Sequence, residues 1–371
     1  MYKSRPYRIL IGGGGTGGHV FPAIAIADAL KEKDPETVFL FVGALGKLEM
    51  EKVPEAGYTI EGLPVAGFQR RLTVKNISFF FKLMASMARS RRIIRSFQPD
   101  VAVGVGGYAS GPILKAAVRK GIPIVLQEQN SYAGVTNRLL ARSASAICVA
   151  YENMDRYFPS GKIVITGNPV RQQLIGLKDK RAEGLEEFQL EGGKKLCLVV
   201  GGSLGARTLN RSFMAGLEKL DREDLQVLWQ CGKYYHEEVR EQVQKSGFTN
   251  IRVLPFISRM DLAYEAADII VSRAGALSIS ELCLVGKPAI LVPSPNVAED
   301  HQTHNAEALV SKGAALMVSD SEAEEQLVDK MLGLLEDDKH RKVLSQHIKK
   351  LGIADASQRI AGEVYKTLEK K

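Results

Sequence analysis

The sequence predicts an α/β protein of two parallel-sheet domains, and three observations carry that expectation. Short apolar runs alternate with amphipathic stretches along the chain, as strands alternate with helices that cover both faces of a parallel sheet. The alternation starts afresh near residue 196. Each half opens on a glycine-rich loop between a strand-like run and a helix-like one: GGGGTGGH at residues 12–19, after Ile9, Leu10 and Ile11, and GGSLGA at residues 201–206, after the run 196–200. Glycines let the backbone approach an anion closely, and the N–H groups and dipole of a helix start attract negative charge. Two such junctions suit a nucleotide-sugar or dinucleotide enzyme.

In chain order, residues 38–42, 101–105, 122–127, 146–149 and 163–165 read as buried strands, with helix-like segments such as 23–33 and 113–120 between them. The join between the halves falls near Gly167-Asn168-Pro169-Val170-Arg171, because Asn-Pro interrupts regular structure. Residues 176–195 are charged and read as an exposed connection or a short helix. The second series of strands is 196–200, 227–230, 251–254, 269–271 and 289–292, and residues 357–368 close the chain as an amphipathic helix. The expected domains are residues 1–170 and 171–350, with a C-terminal helix in 351–371 that packs back on the first domain.

Composition narrows the function classes. With 371 residues, 45% hydrophobic and 25% charged, the chain is long enough for two cores and ordinary for a globular protein. A net charge of +8 suits anionic partners such as nucleic acid, anionic lipid or phosphorylated ligands. Cys148, Cys197, Cys231 and Cys283 are far apart, form no CxxC pair and read as buried thiols rather than as disulfides or a zinc site. Only three apolar residues precede the first glycines, too few for a signal peptide, and no apolar run is long enough to span a bilayer, so a cytoplasmic protein is expected.

Several motifs carry chemistry. GGGGTG fits the dinucleotide pattern, but the second strand ends Val42-Gly43-Ala44 without the acidic residue that would hold a ribose, and Glu49 and Glu51 come too late. His19 stands where a loop becomes a helix, which disfavours imidazolium. It reads either as a general base for a hydroxyl or as a capping residue. GGYASGP at residues 106–112 and Glu128-Gln129-Asn130 follow strands in the same way, and the amide of Asn130 suits hydroxyl recognition or the loop's own backbone. In residues 272–281, SRAGALSISE, small residues and a helix start offer phosphate donors, and Glu281 lies farther along as an acceptor for two ribose hydroxyls. That is the order a nucleoside diphosphate needs; a capped core helix is the plainer alternative. His301 and His304 lack a third ligand for a metal, and Gln302 suits sugar hydroxyls. Residues 68–97, opened by Phe68 and closed by Phe97, mix Phe79, Phe80, Phe81 and Met84 with eight Lys and Arg residues. Such a segment lies on an anionic membrane surface, or packs its apolar face on the sheet. No nucleic-acid module is recognised, so nucleic acid is not an expected partner.

Taken in order, GGTGGH, GGYASGP, EQN with AGVTNR, GNPVR, GGSLGA, SRAGALSISE and HQTHNA resemble the MurG family over almost the whole chain. These are the peripheral membrane glycosyltransferases of peptidoglycan synthesis, tied to cell shape and division. The resemblance implies a GT-B architecture, two Rossmann-like domains with parallel sheets facing across a cleft. It implies transfer of GlcNAc from UDP-GlcNAc to the 4-hydroxyl of undecaprenyl-linked lipid I, with inversion, to form lipid II. By motif, Thr16, Gly17 and Gly18 would line the diphosphate and sugar, Asn130 would contact GlcNAc, and Arg171 would offset diphosphate charge. Ser203 would bond phosphate, Ile257 would meet uracil, and Gln302 would read GlcNAc hydroxyls. Ala276, Leu277, Ser278, Ile279, Ser280 and Glu281 would hold the diphosphate and ribose, with His19 as the base. No cofactor and no metal are implied. The implied location is the cytoplasmic face of the bacterial inner membrane, with an anionic membrane surface and cell-wall synthesis proteins as further partners. Leu204 stands where some relatives carry glutamine, which removes a side-chain amide contact. Another GT-B transferase with a different lipid-linked acceptor, a UDP-GlcNAc epimerase and a non-catalytic UDP-sugar-binding protein are the competing readings.

Overall fold

The computed structural model describes residues 5–65, 75–176, 179–202 and 204–370. Two compact units make up the chain, Met1–Val170 with Asp355–Lys371, and Arg171–Ala354.

The first unit runs β1 (Arg8–Gly12), α1 (Gly17–Lys33), β2 (Val38–Ala44), α2 (Glu49–Glu55), β3 (Ile60–Leu63), α3 (Lys75–Phe97), β4 (Val101–Gly104), α4 (Ser110–Arg119), β5 (Ile124–Glu128), α5 (Val135–Leu140), β6 (Ala146–Val149) and β7 (Ile163–Ile165). The second runs α6 (Arg181–Glu187), β8 (Lys195–Val200), α7 (Arg207–Ala215), α8 (Leu217–Leu220), β9 (Leu225–Gln230), α9 (His236–Ser246), β10 (Ile251–Leu254), α10 (Met260–Ala266), β11 (Ile269–Ser272), α11 (Ala276–Val285), β12 (Ala289–Leu291), α12 (His301–Val310), β13 (Leu316–Met317), α13 (Ala323–Glu336) and α14 (Asp338–Lys349). The last helix, α15 (Ala356–Glu369), belongs to the first unit.

Among the described residues the first unit has a seven-stranded sheet ordered β3-β2-β1-β4-β5-β6-β7, and the second a six-stranded sheet ordered β10-β9-β8-β11-β12-β13. All strand pairs described are parallel. Both orders reverse direction beside the first strand of the unit, between β1 and β4 and between β8 and β11. Loops at such a reversal splay apart, which is where open parallel sheets bind ligands. The loops after β1, β4, β8 and β11 are GGGGTGGH, GGYASGP, GGSLGA and the SRAG stretch.

Strand alternation sorts the first unit's core. Leu10, Leu40, Val42, Ala102, Leu126 and Ile147 meet Ile93 and Ile94 of α3, Ile113 and Leu114 of α4, and Leu140 of α5. Ile9, Ile11, Phe41, Val103 and Val125 face the other way, onto Ile26 and Leu30 of α1 and Ile360, Val364 and Leu368 of α15. The stripe 360, 364, 368 recurs every four residues, so α15 buries one face; Tyr365 adds a hydroxyl donated to the carbonyl of Leu30 at 3.1 Å. In the second unit, Trp229 is fully buried beside Phe213, and its indole N–H donates to Asn210 Oδ1 at 3.0 Å. The helix expected over 113–120 begins earlier, at Ser110, because Pro112 falls in the first turn, where no backbone N–H is required.

Candidate active site

In the first unit, β1 leads through the glycines into α1. Thr16 is the N-cap in extended conformation (φ −142°, ψ 159°), and its carbonyl accepts from the N–H groups of His19 (3.0 Å) and Val20 (3.1 Å). This turn brings Thr16 Oγ1 to 3.2 Å from His19 Nδ1. When Nδ1 carries the proton and donates to Thr16, the Nε2 lone pair is the one that takes a proton. The far edge of the imidazole lies against Gly106: a Cβ there would stand 3.0 Å from both Cδ2 and Nε2, and its φ is +88°. Gly107 (φ +85°) touches the first loop directly, since a Cβ would stand 2.1 Å from the carbonyl oxygen of Gly14. The loops after β1 and β4 are therefore one packed object. Gly17 and Gly18 form the first turn of α1 and are half-buried; Thr16 is exposed.

Glu49, set aside in the sequence for the ribose role, lies under this loop. It is 2% exposed; its Oε2 accepts from Gly15 N at 2.9 Å and its Oε1 from Ala44 N at 2.8 Å. Glu128 acts similarly under the EQN loop. Its Oε1 accepts from Asn130 N (3.1 Å) and Asn130 Nδ2 (3.4 Å), and its Oε2 from Gly134 N (3.0 Å) and Asn137 Nδ2 (2.9 Å). Burial pushes its pKa above the ordinary carboxylate range, and these donors pull it part of the way back. Beneath lies a buried amide chain: Gln127 Nε2 donates to Asn168 Oδ1 (2.9 Å), and Asn168 Nδ2 to the Gln129 carbonyl (2.9 Å).

On the α3–α5 side, Phe81, Met84 and Leu139 are 68%, 57% and 78% exposed, with Lys82, Arg89, Arg91, Arg92 and Arg142 exposed nearby in sequence. The start of the basic, apolar stretch, including Phe68, Arg70 and Arg71, lies outside the described residues, as do the side chains of Phe79 and Phe80. No helix among the described residues is long and apolar enough to cross a membrane.

In the second unit, Gly275 caps α11 in extended conformation (φ −66°, ψ 143°), and its carbonyl receives Ile279 N at 2.9 Å. The N–H groups of Ala276, Leu277 and Ser278 precede the helix's own ladder and face the end of the sheet as donors. Ile279 has its N–H in the helix ladder and its side chain, 2% exposed, in the core. Ser280 Oγ donates to the carbonyl of Ala276 at 3.0 Å. One further residue along, Glu281 is buried, with Oε1 at 3.0 Å from Arg171 Nε and Oε2 accepting from Tyr264 OH at 3.1 Å. Burial raises the Glu281 pKa; Arg171 and then Tyr264 oppose the rise. The Tyr264 hydroxyl, fully buried, is held well above its ordinary pKa. Arg171 is thus paired with Glu281 and remains half exposed.

Two other expected residues have hydrogen-bond partners that set what they can offer. Ile257 is buried and its N–H donates to Gln230 Oε1 at 2.9 Å. Gln302 Oε1 accepts from Ser294 N at 2.9 Å, which leaves its amide nitrogen as the side chain's donor end. Before α12, Glu299 (φ +58°) and Asp300 (φ +50°) are both left-handed, a strained pair of the kind found at ligand sites. Arg273 is tied into the unit through Nη1, which donates to the carbonyls of Val292 and Pro293, each at 3.1 Å, and to Asp320. Ser203 lies outside the described residues; Leu204 beside it is 80% exposed. No cluster of three His, Cys, Asp or Glu able to hold a metal occurs among the described residues.

Sequence comparison gives the class of protein that this pair of folds and sites defines. Residues 9–149 match the glycosyltransferase family 28 N-terminal domain, and residues 196–360 the glycosyltransferase family 28 C-terminal domain. The UDP-N-acetylglucosamine--N-acetylmuramyl-(pentapeptide) pyrophosphoryl-undecaprenol N-acetylglucosamine transferase of Parabacteroides distasonis is 54% identical over 99% of this chain and 100% of its own length. The enzyme of the same name from Flavobacterium psychrophilum is 49% identical over 98% of each. The crystal structure of Acinetobacter baumannii MurG superposes with a TM-score of 0.78 at 29% identity, covering 97% of this chain and 100% of that one. The chain belongs to the MurG family and has its GT-B-like fold. A UDP-GlcNAc 2-epimerase from Neisseria meningitidis, solved with UDP-GlcNAc, shares the fold alone, at a TM-score of 0.68 and 16% identity, covering 97% of this chain and 100% of that one.

Proposed function

We propose that this chain is the inverting glycosyltransferase that moves N-acetylglucosamine from UDP-GlcNAc to the 4-hydroxyl of the muramic acid in undecaprenyl-diphosphoryl-N-acetylmuramoyl-pentapeptide, lipid I, forming lipid II for peptidoglycan. The observation that carries the reading is the order of groups on α11: N–H donors at Ala276, Leu277 and Ser278, then the buried acceptor Glu281. Diphosphate and ribose of one nucleotide match that order. The ribose hydroxyls donate to Glu281, and the first-turn N–H groups meet the diphosphate as its charge grows on departure. Arg171 holds Glu281 through Nε, which leaves its two other guanidinium nitrogens for phosphate oxygens. The Ile257 carbonyl faces the uracil, and Gln302 and Asn130 read hydroxyls of the sugar.

In the transfer, the acceptor's 4-oxygen bonds to the anomeric carbon as the bond from that carbon to the UDP oxygen breaks, and His19 Nε2 takes the hydroxyl proton. Support for this base is its position at the start of α1, with Nδ1 3.2 Å from Thr16 Oγ1 and the ring's other edge against Gly106. The first unit is the acceptor-binding and membrane-facing part, and the second the UDP-GlcNAc-binding part. Exposed Phe81, Met84 and Leu139 among basic residues support docking on an anionic membrane surface. That surface is the cytoplasmic face of the inner membrane, where cell-wall synthesis proteins are further partners.

The test is UDP release by the purified protein with UDP-GlcNAc and a lipid I analogue, with the product's mass determined. A disaccharide product that requires both substrates is expected. Saturable UDP-GlcNAc binding with no product would overturn the reading.

A further inference from the structure

The acid that dinucleotide-binding sheets place at the end of the second strand is missing from β2, which ends Val42-Gly43-Ala44. A carboxylate nevertheless returns to this corner from five residues beyond Ala44. Glu49, the first residue of α2, is 2% exposed and uses its two oxygens on two loops, Oε2 on Gly15 N and Oε1 on Ala44 N. The space around it is cut to its shape. A Cβ on Gly14 would stand 2.1 Å from Oε1, and a Cβ on Gly43 would stand 2.4 Å from Cγ. Gly14 also takes a left-handed φ of +136°. The residue after Gly15 is Thr16, the N-cap whose hydroxyl meets His19. From the opposite side Gly107 presses on the Gly14 carbonyl. The loop is gripped between a carboxylate below and a glycine backbone above.

We infer that Glu49 is a positioning residue of the transfer: its carboxylate is an internal anion that fills the first glycine loop and fixes the Thr16–His19 turn for the acceptor hydroxyl. This rests on the reading of His19 as the base. A carboxylate with both oxygens receiving backbone N–H groups has no neutral isostere, because an amide would turn its own N–H against one of the donors. A misplacement of the loop by about 1 Å is enough to slow a reaction about 100-fold.

The experiment uses the full-length protein with UDP-GlcNAc and a lipid I analogue. Glu49→Ala is expected to lower kcat about 10–100-fold while the Kd for UDP-GlcNAc, bound by the other unit, stays within about twofold. Formate, small enough to enter the vacated carboxylate site, is expected to restore part of the kcat of Glu49→Ala; chloride at equal ionic strength is expected not to. Val53→Ala, a cavity variant in the same helix, controls for loss of stability; at an equal Tm decrease it is expected to keep kcat. Wild-type kcat in Glu49→Ala, or an equal kcat loss in Val53→Ala, overturns the inference. The double variant Glu49→Ala, His19→Ala separates this from the base assignment. If Glu49 works through the turn that carries His19, the double variant is no slower than His19→Ala alone. If it is slower by the whole Glu49→Ala factor, the inference fails, whereas the base assignment stands or falls on His19→Ala by itself.

Discussion

Both units bury carboxylates after their strands, beyond β2 and at the end of β5 in the first and on the helix after β11 in the second, but satisfy them differently. In the first unit, Glu49 takes both of its hydrogen bonds from backbone N–H groups, and Glu128 takes two from the backbone and two from the side chains of Asn130 in the loop and Asn137 in α5. In the second, Glu281 is held by side chains alone, Arg171 Nε and Tyr264 OH. Glu49 and Glu281 each use two of the about four acceptor sites of an ionised carboxylate. The two on Glu49 fix the path of the chain, and a Cβ on Gly14 or Gly43 would collide with its side chain, whereas the two on Glu281 come from side chains and leave the backbone out. Burial and residue type are the same; the identity of the donors distinguishes a brace from a receptor.

The largest effect that would sharpen this contrast is at His19. His19→Ala is expected to lower kcat about 10²–10⁴-fold and leave the Kd for UDP-GlcNAc unchanged by calorimetry. A weakened donor Kd would break the division of labour between the units. Next comes the receptor carboxylate. If Glu281 receives the two ribose hydroxyls as proposed, Glu281→Gln loses two charge-assisted contacts, about 3 kcal/mol, so kcat/KM for UDP-GlcNAc is expected to fall on the order of 100-fold, with acceptor KM unaltered. Unchanged donor kinetics would make Glu281 another brace.

The exposed apolar side chains of the first unit give a smaller, purely interfacial effect. Each buried apolar side chain contributes about 1–2 kcal/mol, so the pair Phe81→Ser and Leu139→Ser is expected to weaken sedimentation with anionic vesicles about tenfold or more. Turnover of a soluble acceptor analogue should stay at the wild-type rate; equal vesicle binding would remove these side chains from the membrane reading. The smallest effect is at Tyr264. Tyr264→Phe is expected to raise the UDP-GlcNAc KM several-fold, about 1 kcal/mol. Its sharper readout is pH. Burial raises the Glu281 pKa, and Arg171 and Tyr264 lower it, so a protonated Glu281 loses acceptor capacity as pH falls through that raised value. Removing the Tyr264 donor lets the pKa rise further, and the acid limb of donor kcat/KM should move to higher pH. An unmoved limb would show that Tyr264 does not act through Glu281.

Much of the fold was legible because its signals are local. A glycine loop between a strand and a helix, and the restart at β8, are visible in a dozen neighbouring letters, and the SRAG stretch announced both the α11 start and Glu281. The braces were hidden because they join distant positions. Glu49 meets Gly15 across 34 residues, Tyr264 meets Glu281 across 17, and Gln230 meets Ile257 across 27. Glu49 was measured against the ribose role, where its position is wrong, and nothing in its neighbours points back to the loop. The two-residue strand β13 (Leu316–Met317) shows no alternation of its own and exists because β12 offers it a ladder. Arg273 sits among the small residues of a phosphate-type loop, yet Asp320 claims it from 47 residues away.

The contact between Gly107 and the Gly14 carbonyl bears on how this chain tolerates change. At Gly104 an added Cβ would meet the tip of Leu114, a side chain that a second substitution could shorten. At Gly107 it would meet main chain, at 2.1 Å, and every amino acid has the same main chain. No compensating replacement at position 14 therefore exists. In a saturation library scored only for folded, soluble protein, with no substrate present, position 107 should return glycine alone, while position 104 returns alanine together with smaller partners at 114.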